Sequence, residues 1–351
     1  MARVIRTGAH GYILYGWETS NFGEIAGTIN RAFGLKTSIG TLSLTNNRID
    51  LGKLGQVETA AYAYGQQSGS ISVNYVLADS VTSGSETSGD IFRAIFGAPA
   101  GSPSVYGGLT QGSTPKISES MTIDVGFETG EDSYVSGHTD YKVRTLQGCV
   151  LNSLSLSTAV NDVVNVSTDF AFGIENAPSK SFSAPTITCG NPYTFAHAKL
   201  KLTTGDQTDG TPVGFTYPTE ITLVQDTDLT FTVNNELLYG LASNQATSSY
   251  RRMLDITGRF KVAWSDWKLY ERMLAQIGKG ANSVREPNIS TKAEGTAELE
   301  LTFTNGSKSI KIELAGVSFT DFAITGIEPV EPVYQELNYK AKTAKVTVDT
   351  T

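Results

Sequence analysis

The side chains that could perform catalysis are few in this sequence, and the most concentrated group is acidic. Glu128, Glu131, Asp132 and Asp140 lie close together in the chain. Such carboxylates could bind a cation, or could flank a glycosidic bond as an acid and a base. A solvated loop between two strands accounts for the same residues without any chemistry, and we favour that interpretation.

The histidines and cysteines do not have the spacing of metal ligands or of a nucleophile with its base. His10, His138 and His197 are far apart, and Cys149 and Cys189 form no C-x-x-C motif. The sequence also lacks a Gly-x-Ser-x-Gly elbow, a phosphate-binding loop and a His-Glu-x-x-His motif. We therefore predict that the protein is not an enzyme and has no catalytic residues, no cofactor and no metal site.

Two aromatic and basic groups could bind other ligands. Arg251 and Arg252 follow Tyr250 and could contact nucleic acid by charge and stacking. Trp264 and Trp267 could line a sugar site. In an acidic protein, paired arginines more often form ion pairs between proteins, and tryptophans at this spacing more often pack a helix on a sheet.

The composition is that of a protein rich in strands and turns. Of 351 residues, 18% are charged, below the roughly 25% of average soluble proteins. The formal net charge of −8 argues against a protein that binds nucleic acid through its phosphates. The sequence shows no apolar stretch of signal-peptide or membrane-span length, so we expect folding in a cytoplasm with reduced cysteines.

Alternation of apolar and polar residues predicts a mainly β protein with half-buried strands. Two segments instead have helical spacing, 91–96 and 266–277, and each is predicted to form one short helix on a sheet. The alternating segments are 41–45, 70–76, 122–127, 229–233, 299–303, 310–314 and 345–348.

The order of these elements occurs twice, which predicts a tandem duplication of one small unit. TLSLTNN at 41–47 matches LTFTVNN at 229–235, and Gly148 and Gly316 have the same place in a later matching pair. A segment rich in Pro, Ser and Gly joins the halves. The predicted organisation is an N-terminal arm (1–26), a first β-sandwich domain (27–178) and a second (179–351).

Each half contains one connection that is longer than joining two strands requires. These are residues 48–68 and 236–257, and both carry apolar side chains. Connections of this length are usually functional or disordered, and the apolar content argues against disorder. We predict two protruding hairpins that a second copy of the chain covers.

The residues of the first half resemble the phage and archaeal-virus tail tube proteins. GYILYGWETSNFG (11–23) and AFGLK (32–36) are similar to the opening of one such family. The run from TLSLTNNRIDLGKLGQ to GQQSGSISV (41–73) is similar to its core of strand, long hairpin and strand. The resemblance implies β-sandwich domains with one helix each. Six such domains would join edge to edge into a ring, and an inner β-barrel would line its channel.

A structural role in a virion follows from this resemblance. Rings stack through protruding loops into a tube that carries DNA to the host. We therefore expect the two long hairpins to make the contacts between rings. The candidate contact residues are Leu54, Val57, Tyr62, Tyr64, Leu238, Tyr239, Leu241, Tyr250, Arg251, Arg252 and Leu254.

Two units per chain imply a homotrimeric, pseudo-hexameric ring; six chains are needed if the second half is an outward decoration. The expected partners are further copies of the chain, the terminator, tape measure and distal tail proteins, and DNA that passes an acidic channel without specific binding. No membrane partner is expected, and the protein is placed in the virion tail after assembly in the host cytoplasm.

Two alternatives remain open from the sequence. One is an unrelated self-assembling surface or sheath protein built from β-sandwiches. The other, ranked third, is an enzyme such as a glycoside hydrolase, against which the missing catalytic motifs count.

Overall fold

The fold is described from a computed structural model, which confirms a mainly β protein built from antiparallel sheets. The structure describes residues 11–19, 21–51, 61–80, 88–115, 117–128, 141–176, 181–182, 188–202, 219–241, 243–265, 269, 297–327 and 332–349.

The strands are numbered in chain order. The first nine are β1 (Gly11–Trp17), β2 (Leu35–Leu51), β3 (Ala61–Val76), β4 (Ser104–Gly107), β5 (Met121–Glu128), β6 (Tyr141–Ala159), β7 (Asn165–Phe172), β8 (Ile174–Asn176) and β9 (Ser181–Phe182). The others are β10 (Ala198–Leu202), β11 (Thr219–Glu220), β12 (Val224–Thr232), β13 (Asn235–Tyr239), β14 (Ala246–Arg251), β15 (Asp255–Ala263), β16 (Leu299–Asn305), β17 (Lys308–Ala315), β18 (Ser318–Thr325), β19 (Tyr334–Ala341) and β20 (Thr343–Asp349).

The helix predicted at 91–96 is confirmed. A 3-10 turn over Ser88–Phe92 continues into α1 (Arg93–Phe96), and a second 3-10 turn covers Phe195–His197. Phe92 and Phe96 meet the ring of Phe231 edge-on, at centroid distances of 6.2 and 5.8 Å. The first helix therefore packs on a strand of the second half. The helix predicted at 266–277 lies outside the described residues, apart from Leu269.

One continuous run of strands crosses both halves of the chain. Its order is β18-β19-β15-β12-β6-β7-β3-β2, with antiparallel pairing throughout. Strands β6-β7-β3-β2 come from the first half, and β18-β19-β15-β12 come from the second in the corresponding order. The pairing of β12 with β6 joins the two sets.

A second layer of strands covers the apolar face of this run. In the first half β1, β5 and the beginning of β6 lie side by side, and β8 pairs with the other edge of β6. In the second half β10, β16, β17 and β20 lie side by side in the corresponding positions. The apolar faces of both layers contribute to one large cluster of buried residues.

One glycine in each half marks the bend between the layers. Gly148 (φ 63°) lies within β6, and Gly316 (φ 65°) lies between β17 and β18. Both adopt the left-handed conformation that glycine accepts without a steric penalty. The Gly148 N–H donates to Glu18 Oε1 at 2.8 Å, and the Gly316 N–H donates to Glu298 Oε1 at 3.3 Å. The place that the two glycines share in the sequence is thus also a shared place in the fold.

Two elements bear on the predicted organisation of the chain. Strand β1 lies within the segment predicted as an N-terminal arm, and it pairs with β5 along its whole length. Strand β4, from the first half, pairs with β20 of the second. Strands of the two halves therefore pair with each other in both layers.

Candidate assembly surfaces

The two ends of the eight-strand run are the first candidate surface. Strand β2 pairs with β3, and β18 pairs with β19, which places β2 and β18 last in the strand order. Such edges carry backbone groups that can pair with another chain.

The apolar side chains near the β2 edge differ in exposure from their counterparts inside the run. Leu44 pairs with Gly69, and Leu229 pairs with Gly258 in the second half. The fold thus aligns Leu44 with Leu229, whereas the sequence match of 41–47 with 229–235 placed Leu44 against Thr232. Leu229 is 0% exposed because β6 lies beside β12, whereas Leu44 is 40% exposed. The edge at β2 thus leaves uncovered an apolar side chain that the internal junction covers.

The internal junction shows how two such edges fit together. Along β12 and β6, Leu229 lies opposite Leu156 and Phe231 opposite Leu154. Between these core-facing pairs, Thr230 Oγ1 and Ser155 Oγ are 2.8 Å apart and share a hydrogen bond. The junction therefore combines an apolar inner face with hydroxyl contacts on the outer face.

The outer face of the run is polar, because alternate residues point away from the core. In the second half it carries a charged cluster around Arg259 on β15. Its Nη2 lies 2.7 Å from Asp228 Oδ2 and 3.4 Å from Asp226 Oδ1, and its Nη1 lies 3.0 Å from Glu336 Oε1. The hydrogen bonds to Asp228 and Glu336 raise the pKa of Arg259, whereas burial raises the pKa of Asp226.

In the first half the same face is lined by hydroxyl groups. Ser43 and Ser70 share a hydrogen bond of 2.8 Å across β2 and β3. The Thr41 N–H donates to Ser72 Oγ at 2.7 Å, and Ser153 donates to Asp169 at 2.9 Å. Sequence analysis did not identify either half of this face, although alternation within each strand would have found its members once the register was known.

The hairpin β13–β14 is the second candidate surface, and one of its faces packs on the first half of the chain. Tyr239 donates its hydroxyl to the Gln67 carbonyl at 2.7 Å, and the Gln67 N–H donates to the Asn244 carbonyl at 2.7 Å. The Ala246 N–H reaches the Gly173 carbonyl at 3.4 Å. The second predicted hairpin is therefore folded back along the chain, held to the first half by contacts near its turn.

Arg251, a predicted contact residue, lies on this packed face. It is 4% exposed, and its Nη1 donates to the Ile95 carbonyl at the end of α1. Burial lowers the pKa of Arg251 to about 10. A side chain in this position is not available to another molecule, so we withdraw Arg251 from the candidate contacts. Leu254 is half-buried and packs against the core.

The other face of the hairpin carries the remaining candidates of the second half. Leu238 is 43% exposed, Tyr250 is 52% exposed, and Leu241 at the turn is fully exposed. Arg252 forms an ion pair of 2.5 Å with Glu236 on the same face. The exposed candidates thus form one apolar patch with an ion pair beside it.

The first hairpin is described only in part. Strands β2 and β3 continue to Leu51 and from Ala61, so pairing extends well into the segment predicted as a connection. Tyr62 and Tyr64 lie in β3, where they pair with Asp50 and Arg48. The predicted contacts Leu54 and Val57 lie outside the described residues.

The groups considered for chemistry do not come together in the described part of the chain. Glu128 ends β5, while Glu131, Asp132 and Asp140 lie outside the described residues. His197 accepts the Thr194 N–H at 3.1 Å. The described ranges contain no group of three or more His, Cys, Asp or Glu side chains that could hold a metal.

Within the described ranges we also find no helix long and apolar enough to cross a membrane.

Comparison with known proteins agrees with the resemblance seen in the sequence. The profile of a family described as phage tail tube protein matches residues 8–341, which is nearly the whole chain. No curated protein matches the chain significantly.

Proposed function

The chain belongs to the phage tail tube protein family, and we propose that it assembles into stacked rings that form the DNA conduit of a viral tail. The observation that carries this proposal is the β12–β6 junction. It joins two sets of four strands in the same order and leaves β2 and β18 as the two ends. The same junction between chains would continue the run and close it into a barrel.

The register of the junction between chains follows from equivalent positions. Leu44 and Leu229 pair with Gly69 and Gly258, so the next residue, Thr45, corresponds to Thr230. On the other edge Thr325 pairs with Tyr334, as Ser155 pairs with Ser167. Ser167 and Tyr334 stand at equal distances before Phe172 and Tyr339, the residues that pair with the two glycines. Thr45 would therefore lie opposite Thr325, repeating the hydroxyl contact of Thr230 and Ser155.

Three chains per ring follow if the two halves are equivalent units. We assign the first unit to residues 27–178 together with β1, and the second to residues 179–351. Each chain would then supply two of six units, which gives a trimer with pseudo-sixfold symmetry. Closure also removes the exposed strand edges, which are a liability in a free monomer, and covers Leu44.

We assign the stacking of rings to the outward face of the hairpin β13–β14. Its apolar patch of Leu238, Leu241 and Tyr250 faces water in the single chain. Burying one such side chain contributes about 1.5–3 kcal/mol. The contact would recur in every chain of the ring. The ion pair of Arg252 with Glu236 lies at the rim of this patch, where charged groups set register more than affinity.

The polar face of the strand run is assigned to the wall of the channel. Among the side chains that the structure describes, its carboxylates include Asp169, Asp226, Asp228, Asp255, Asp321 and Glu336, and its cations include Arg259, Lys261 and Lys340. A wall in which acids outnumber bases repels phosphate, so DNA would pass without being held. The tube would join the terminator, tape measure and distal tail proteins in the virion, after assembly in the host cytoplasm.

Electron microscopy of the purified protein tests this function. We expect tubes of stacked rings with an open channel, and symmetry analysis is expected to give three chains per ring. Rings of six chains would contradict the trimer, and particles without a channel would contradict the conduit.

A further inference from the structure

We propose that Asp228 and Glu336 keep Arg259 from binding DNA phosphate, so that the channel wall contains a guanidinium that cannot hold the passing DNA. This inference rests on the proposed function, because it takes the polar face as the channel wall. It names the residues that make that wall non-adhesive.

Three of the five N–H donors of Arg259 are occupied by groups on its own face. Nε and Nη2 donate to Asp228 Oδ2 at 3.0 and 2.7 Å, and Nη1 donates to Glu336 Oε1 at 3.0 Å. Asp226 adds a carboxylate at 3.4 Å. A guanidinium binds phosphate with the same forked donors that it uses for carboxylates. Phosphate that binds with these donors would therefore compete with Asp228 and Glu336.

The fold does not require this charged cluster. By the equivalence of the two halves, Thr41, Ser43, Ser70 and Asp169 occupy the positions of Asp226, Asp228, Arg259 and Glu336. They form the same four-strand arrangement without a cation. Half-exposed ion pairs also contribute little to stability, and Arg259 and Asp228 are 38% and 39% exposed. A role on the wall explains the cluster better than a role in folding.

Two other cations of this face are also engaged. Lys261 Nζ lies 4.5 Å from the centroid of the Tyr334 ring, and Lys340 Nζ lies 3.6 Å from Asp255 Oδ2. Each contact would recur in every chain along the tube. Even a weak phosphate contact would then be multiplied along the DNA, since binding to phosphates grows with the number of charges neutralised.

Nuclease protection in assembled tubes tests the inference. Wild-type and Asp228→Asn/Glu336→Gln protein are assembled in the presence of a linear DNA duplex, treated with nuclease, and washed at low salt. We expect the variant tubes to retain at least tenfold more protected duplex than wild type, and to release it as salt rises. Adding Arg259→Ala to the double variant is expected to return retention to the wild-type value.

A matched control distinguishes an effect of the channel wall on DNA retention from an effect of net charge. Lys311 lies 3.1 Å from Glu300 and 3.2 Å from Glu313 on the second layer of the fold. Glu300→Gln/Glu313→Gln changes the net charge equally but frees cations away from the polar face, namely Lys311 and Lys345, which also pairs with Glu313. We expect no gain of protected duplex in these tubes. An equal gain would assign the effect to net charge and overturn the inference.

A second variant keeps the test independent of the cluster. Ser70→Arg places a guanidinium at the position equivalent to Arg259, where only Asp169 corresponds to its three carboxylates. Its tubes are expected to retain duplex as the double variant does. If tubes with an open channel form and neither variant gains protected duplex, the inference is wrong while the proposed function stands. If wild-type protein forms no channel, the proposed function itself fails.

Discussion

At the scale of single residues, the most informative positions are two glycines in the strands. Gly69 faces Phe172 and Gly258 faces Tyr339 in neighbouring strands, and each aromatic ring lies over its glycine. An added Cβ would come within 2.1 Å of the Phe172 ring and 2.2 Å of the Tyr339 ring. An aromatic side chain that covers a strand glycine restores the packing that the glycine lacks. The pair occurs once in each half, at equivalent positions.

Alanine at either glycine is expected to destabilise the protein. Gly69→Ala and Gly258→Ala overpack the core, which costs about 1–3 kcal/mol, and chemical denaturation would measure the loss. Gly27→Ala is the control, since no atom lies within 4 Å of its added Cβ. Unchanged stability in both strand variants would show that the aromatic rings move aside freely.

A second residue-scale prediction concerns the acid side of stability. Burial alone would raise the pKa of Glu313, but hydrogen bonds from Lys345 and Lys311, at 2.8 and 3.2 Å, lower it below the usual value of 4.5. A carboxyl with a lowered pKa stabilises the fold above its unfolded pKa, and this contribution is lost as the pH falls through the folded pKa. Glu313→Gln should therefore be less stable than wild type at pH 7, with a difference that shrinks below about pH 4.5. A difference that is constant with pH would show that the charge has no part in it.

At the scale of elements, the hairpin β13–β14 differs most from what the sequence predicted. Alternation predicted the strands around 41–45, 229–233 and 310–314 correctly. The apolar side chains of the last two lie in the core, whereas Leu42 is half-buried and Leu44 is exposed at the sheet edge. The fold-back of the hairpin was not predicted. It depends on Asn234 in the left-handed conformation (φ 52°) and on contacts with distant residues such as Gln67.

The same hairpin shows which part of the site could have been found from sequence. Arg251 ends β14 and Arg252 is the next residue, so alternation of the extended chain points only one of them outward. The sequence offered no way to choose, because the choice depends on packing against α1. The β12–β6 junction was also beyond sequence reasoning, since strand order is set by contacts between distant segments.

Removing the apolar patch of the hairpin is expected to separate stacking from ring closure. Leu238→Ser/Tyr250→Ser should leave a folded protein that forms rings, with tubes much shorter than those of wild type. Electron microscopy after gel filtration would measure tube length. Ile25→Ser, which removes an apolar side chain that is 44% exposed in the connection between β1 and β2, is the control. Tubes of normal length from the hairpin variant would place the contact between rings elsewhere.

At the scale of the whole molecule, the chain contains a run of strands that ends at β2 and β18. In the proposed assembly its own β12–β6 pairing is the pattern for the contact between chains, with the exposed Leu44 at one end corresponding to the buried Leu229 inside. Under the proposed function, closing the run produces both the barrel and its polar wall. Assembly and conduction of DNA then depend on the same strands.

A cysteine pair across the proposed junction tests this account most directly. Opposed residues of antiparallel strands have Cα atoms about 4.5–5.5 Å apart, within the range of a disulfide. The positive control is Ser155→Cys/Thr230→Cys, expected to form a disulfide within one chain. All variants carry Cys189→Ser, and Cys149 is buried. We predict that oxidised Thr45→Cys/Thr325→Cys assemblies give covalent dimers and trimers, with the closed trimer as the largest product. Chains that stay uncrosslinked in assembled rings, while the control forms its disulfide, would contradict the β2–β18 junction.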